Sequence, residues 1–113
     1  MTENVIKTKS YAFALRIVKL YKHISVEKRE FVLSKQLLRS GTSIGANVRE
    51  AQGCESKVDF IHKMKIAYKE AEETRYWLEL CSKAEAYSNP GKLAEDIVSI
   101  LKVLGKIISS SKN

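Results

Sequence analysis

Between Phe60 and Cys81 the chain sets Phe60, Met64, Ala67, Ala71, Thr74, Leu78 and Cys81 at alternating steps of four and three without a slip. Only an α-helix with one buried stripe satisfies that spacing over so many turns. Ser56 followed three residues later by Asp59 resembles a capping box, with Asp in place of the usual Glu, so the helix is predicted to start at 56 and to run to about 86. At 1.5 Å per residue this is a rod of about 45 Å.

Three more stripes accompany it. Phe13, Ile17, Leu20 and Ile24, widened by Ala14, Val18 and Tyr21, predict a helix over 8–24. The segment Ser25-Val-Glu-Lys-Arg29 interrupts the pattern. Leu33, Leu37, Gly41, Ile44, Val48 and Ala51 then predict a second helix over 30–52, with Gly53 expected in the left-handed conformation that ends many helices. After Asn89-Pro-Gly91, read as a cap, a first-turn proline and a reversal, Leu93, Ile97, Ile100, Leu104 and Ile107 predict a fourth helix over 91–108. The polar tail from Ser109 is expected to fray.

Four amphipathic helices joined by short loops favour an all-α, up-and-down antiparallel four-helix bundle. With 113 residues, 44% hydrophobic, one Pro and five Gly, the chain reads as a single domain over 1–113, able to remove roughly two thirds of its unfolded surface from water. Ile61, Tyr68, Trp77, Leu101 and Ile108 lie off the main stripes. Either they broaden the core or they serve self-association, and a homo-oligomer is predicted.

No apolar run reaches the length of a membrane span, no signal-peptide segment opens the chain, and Cys54 and Cys81 lack CxxC spacing. These features predict a cytoplasmic protein with two free thiols and no membrane partner. Enzyme readings fare poorly. A two-metal bundle needs two Glu-x-x-His pairs and two further carboxylates, and only Asp59-x-x-His62 comes near this. Glu70, Glu72, Glu73 and Glu79 are read as surface partners of neighbouring Lys69, Arg75 and Lys83. No catalytic residues, no metal site and no cofactor are expected.

Charge is more informative. The chain carries +7, spread as five basic against one acidic group in residues 1–25, five against three in 26–53, six against seven in 54–88 and four against two in 89–113. A polyanion would meet the first half. Lys9, Arg16, Lys19 and His23 share one side of the first helix, with Lys22 close by, and are the candidate contacts for nucleic-acid phosphates; an ordinary solvated face is the alternative. In the second helix Arg39, Ser43, Asn47 and Glu50 fall within about 80° of one another, roughly 120° from the apolar stripe. They form a polar seam that is either solvated or hydrogen-bonded to another helix or subunit. Gly41 and Gly45 each cost about 1 kcal/mol relative to Ala in a helix, and close helix approach is the expected reason.

The run from Gln36 to Glu50, above all Ser43-Ile-x-x-Asn-x-x-Glu50, followed by Ser56-Lys-x-Asp-Phe60 and Glu73-Thr-x-x-Trp-Leu-Glu-Leu80, resembles the bacterial four-helix bundle family linked to 23S rRNA intervening sequences, often labelled the S23 ribosomal protein family. The similarity spans nearly the whole chain, departing at Ala51, where many members have Gly. The resemblance implies a ring, typically of five subunits, without enzymatic activity. A related branch, the accessory proteins of diversity-generating retroelements, implies RNA or DNA binding on basic surfaces and a reverse transcriptase or other protein as partner. On this reading the chain is a non-enzymatic, oligomeric, RNA-associated scaffold. A protein-protein assembly module without nucleic-acid binding is the alternative.

Overall fold

A computed structural model of the chain describes residues 2–84 and 91–112. Four helices follow one another, α1 (Thr2–Lys22), α2 (Val32–Gln52), α3 (Lys57–Lys83) and α4 (Gly91–Ser111), and a π-helical turn, His23–Glu27, extends α1. Each of α1 and α3 lies beside α2 and α4. The register follows from small residues and ion pairs. Gly41 of α2 sits against Ile17 of α1 while Gly45 sits against Ser10. Arg39 meets Glu70 and Glu73 of α3 while Glu50 meets Lys63. In both pairs one index rises as the other falls, so the neighbours are antiparallel, and the bundle measures 46 × 20 × 18 Å.

Inside lies one cluster led by Phe13, Ile17, Ile24, Leu37, Ile44, Met64, Ile97, Ile100 and Leu104, all essentially closed to solvent. Each such side chain contributes roughly 1.5–3 kcal/mol through the apolar area taken from water. The predicted stripes supply this core, and four of the five off-stripe residues join it: Leu101 is buried, and Tyr68, Trp77 and Ile108 are half-buried against the cluster.

The helix ends depart from expectation. α1 begins at Thr2 rather than Thr8, and buries Ile6 one turn below a buried Ser10. Ser10 interrupts the apolar stripe because Gly45 packs on its backbone, with an added Cβ falling 3.4 Å from the Ser10 carbonyl oxygen. Only a small residue suits that approach. The predicted break at Ser25 is the π-helical turn, in which the buried Ser25 hydroxyl donates to the Tyr21 carbonyl at 2.7 Å. Such a turn widens the ladder, and the serine supplies a donor inside it.

Arg29 then adopts φ 55° and α2 starts at Val32, not at Glu30. Glu30 acts from outside the helix. Its carboxylate accepts from the N–H groups of Val32, Leu33 and Ser34 at 3.0, 2.9 and 2.8 Å, and the Ser34 hydroxyl donates to its carbonyl. One anion thus satisfies three donors that a helix start leaves open, at the positive end of the dipole. Burial raises the Glu30 pKa, yet the bonds from Leu33, Ser34 and Val32 outweigh it and leave the carboxyl below its ordinary value.

Gly53 ends α2 with φ −94°, outside the predicted left-handed region. The turn closes instead through Gly53 N–H to the Glu50 carbonyl and Cys54 N–H to the Ala51 carbonyl. Ser56 caps α3 as read, accepting from Asp59 N–H at 3.1 Å. α3 closes at Ala84, whose N–H reaches the Leu80 carbonyl, and the expected continuation to 86 and the Asn89-Pro90 reversal lie outside the described residues. α4 continues to Ser111, past the predicted end at 108, with the Ser110 hydroxyl donating to the Lys106 carbonyl. Among the described residues no helix is long and apolar enough to cross a membrane.

Candidate nucleic-acid interface

The first-helix basic group divides on inspection of its partners. Lys9, Lys19 and Lys22 are exposed and carry no ion pair among the described residues. Arg16 behaves differently. Its Nη1 donates to Asp96 Oδ2 of α4 at 2.8 Å, and Lys92 Nζ approaches the other oxygen of Asp96 at 3.9 Å. The Asp96 side chain is only 17% exposed, so the guanidinium is spent on tying α1 to α4. His23 Nδ1–H donates to the Glu27 carboxylate within the π-helical turn, with Oε2 at 2.8 Å. Thus the structure brings Lys9, Arg16 and Lys92 to one groove between α1 and α4 and sets Lys19, Lys22 and His23 further along α1.

The polar seam runs along the edge where α2 faces α3. Arg39 lies at one end, with Nη1 3.2 Å from Glu70 Oε1 and Nη2 bonded to Glu73 Oε2, while its Nε and Nη2 also donate to Gln36. Trp77 Nε1–H donates to the same Glu73 oxygen at 2.8 Å, so the indole packs its body on the core and keeps its donor satisfied. Glu70 and Glu73 therefore serve α2 across the groove, not Lys69 or Arg75 along α3 as the spacing predicts. At the other end Lys63 Nζ donates to Glu50 Oε1 at 2.8 Å, and this hydrogen bond, then the carboxylate charge, raises the Lys63 pKa. Between them Ser43 and Asn47 are half-buried and donate to carbonyls one turn back, those of Arg39 and Ser43. The seam is an intrachain clasp at both ends with its polar middle turned onto its own helix.

Sequence reasoning missed Lys92 and Asp96, which lie off the α4 stripe and acquire meaning only when α1 arrives. It also missed the exposed apolar side chains of the outer α1 face, Val5, Tyr11 and Leu15, at 47, 54 and 50% exposure. Tyr11, Leu15 and Val18 repeat at four and three, a signal legible in the sequence. The Arg49 guanidinium stacks over the Tyr11 ring, 5.5 Å from its centroid. Both cysteines are free, Cys54 half-buried and Cys81 buried, and burial, then the Glu30 charge, pushes the Cys81 thiol up to about 11. Among the described residues no three His, Cys, Asp or Glu side chains converge as metal ligands do. Asp59 and His62 are both exposed.

Residues 2–110 match the family described as 23S rRNA-intervening sequence protein. Among solved structures the chain is similar to a protein of unknown function from the S23 ribosomal protein family of Bacteroides thetaiotaomicron VPI-5482. The two share 52% identity over 96% of this chain and 99% of that one, with a TM-score of 0.94. No curated protein matches.

Proposed function

The chain belongs to the 23S rRNA-intervening sequence protein family, and from that membership we propose that it is a non-enzymatic, oligomeric scaffold that binds RNA through a basic surface. One observation carries the reading. The +7 chain leaves Lys9, Lys19 and Lys22 exposed on one helix and unpaired among the described residues, whereas its acidic side chains Glu70, Glu73 and Asp96 are engaged within the fold. Exposed cations without local partners are what phosphate contact requires, and each phosphate neutralised releases counterions. Arg16 belongs to this group as the residue that aligns α1 with α4, and His23 lies at its edge.

Binding of structured RNA, followed by filter retention at two salt concentrations, tests the proposal. Retention that falls steeply with salt and disappears in a Lys9→Glu, Lys19→Glu, Lys22→Glu variant supports it. No retention at low salt removes it. The same assay with DNA decides which nucleic acid is preferred.

The assembly part of the proposal is supported by the exposed apolar side chains Tyr11 and Leu15, one turn apart on α1, with Val5 further along it, since exposed apolar surface marks protein contacts. A ring of five copies is the stoichiometry to be sought by light scattering, and a reverse transcriptase is the protein partner to be tried first. If charge reversal leaves every activity and the oligomer intact, the assembly-module reading replaces the nucleic-acid one. A cytoplasmic location is proposed with it, as two free thiols persist best in a reducing compartment.

A further inference from the structure

A cleft of about 420 Å³ opens between α3 and α4, of a size that admits a small organic ligand. Lys65 and Lys69 stand on its α3 side and Lys112 on its α4 side, with the Tyr68 ring and the Ser109 hydroxyl between them. Among the described residues no carboxylate lines it. None of the three lysines has an ion pair among the described residues, and Glu72, one turn beyond Tyr68, is exposed and outside the lining. Three lysines therefore line one concavity with no carboxylate among its described lining residues, an arrangement that favours the entry of an anion.

Gly105 adds a second observation. It sits within α4, where glycine costs helix stability. Unlike Gly41, it has no packing reason, because a Cβ there would meet only the Cε2 edge of Tyr68, at an ordinary 3.7 Å. What the missing side chain does is leave the tyrosine ring open to the cleft. Tyr68 is also packed against the core cluster, which supports the ring.

We propose that this cleft binds one unpaired nucleotide, its base against Tyr68 and its phosphates among Lys65, Lys69 and Lys112. An aromatic platform beside a cationic track is the common solution for single-stranded nucleic acid, since every base has a stacking face and every phosphate a charge. Ser109 adds a hydroxyl able to donate to a phosphate oxygen. The assignment rests on the RNA-binding reading for the source of the nucleotide, and it adds to the α1 cations a specific contact in the groove between α3 and α4.

The test is fluorescence anisotropy of a labelled short oligouridylate at several salt concentrations, with uridine monophosphate as competitor. Tyr68→Leu is expected to weaken binding by about fivefold or more, while Tyr68→Phe, which keeps the ring, stays within about twofold. Replacing Lys65, Lys69 and Lys112 by Gln lowers the slope of log affinity against log salt by about two. Gly105→Leu plugs the cleft and weakens binding without lowering the melting temperature.

If oligouridylate binds but only the Lys9, Lys19 and Lys22 variant weakens it, the cleft assignment is overturned and the RNA-binding reading survives. If the monophosphate binds and the cleft variants abolish it while oligouridylate fails, the cleft stands and the RNA reading falls. Binding of neither probe removes both. Cleft variants that change the subunit number in light scattering identify the groove as a contact between copies, which also overturns the proposal.

Discussion

Replacing glycine by alanine at 41, 45 and 105 should give three different outcomes from one chemical change. In a helix the substitution is worth about 1 kcal/mol of propensity. At Gly41 the new Cβ falls 2.9 Å from both Cγ1 and Cγ2 of Ile17, well inside the 3.5–4.0 Å or so of a comfortable carbon contact. Those atoms are attached directly to the Cβ of a fully buried, stiff, β-branched side chain, so they have no free end to swing away. Overpacking of this kind costs about 1–3 kcal/mol, which leaves G41A about 1 kcal/mol less stable than the parent. At Gly45 the nearest atom is the Ser10 carbonyl oxygen at 3.4 Å, a backbone group that gives little, and gain and cost nearly cancel. At Gly105 the nearest atom is 3.7 Å away and the full gain of about 1 kcal/mol is kept. The assay is urea unfolding followed by circular dichroism at one fixed protein concentration, because self-association would otherwise shift the midpoint. The expected order is G105A above G45A above G41A, spanning about 2 kcal/mol. Truncating Ile17 to Ala should cost less in the G41A background than in the parent. G41A as stable as G105A, or no coupling to Ile17, would refute the claim that α1 and α2 touch at that glycine.

Glu30→Gln keeps an acceptor but loses the charge, and should destabilise by about 1–2 kcal/mol near neutral pH, as caps and charged hydrogen bonds do. Since the folded Glu30 carboxyl titrates below its ordinary value of 4.5, its contribution is complete above that pH and is lost as pH falls through the folded value. The difference between parent and variant should therefore shrink in acid, and a difference independent of pH would contradict the cap. Ser40 is buried with its hydroxyl unbonded among the described residues. Ser40→Ala should accordingly be neutral or up to about 1 kcal/mol more stable in the same unfolding assay. Under native conditions a maleimide should modify Cys54 before Cys81, whose thiol burial pushes up to about 11; equal rates by mass spectrometry would mean that the C-terminal end of α3 opens freely.

Periodicity settled the number of helices, their order and nearly all of the core, because a stripe at steps of four and three is a local property that survives in any partner arrangement. It failed where a core position is filled by a small polar residue: Ser10 hid the first turns of α1, and Ser34 and Ser40 were invisible as interior. Their burial depends on how near a second helix comes, and only the packed bundle sets that distance. The ends failed likewise, since Glu30 caps α2 from outside it and Gly53 closes α2 without a left-handed turn.

For the candidate sites the division is sharper. The residue types and the uneven charge were readable, but not the partners, because an ion pair joins residues that are distant in sequence. Arg16 is free on a helical wheel and bound to Asp96 in the bundle; Glu73 has basic neighbours on α3 but pairs with Arg39 of α2 instead, while accepting from the Trp77 indole. Lys65 and Lys69 meet Lys112 only because α4 returns antiparallel beside α3. Amphipathic order along one chain is enough to choose the bundle, while which charges remain available to a ligand is decided by the helices that lie across from them.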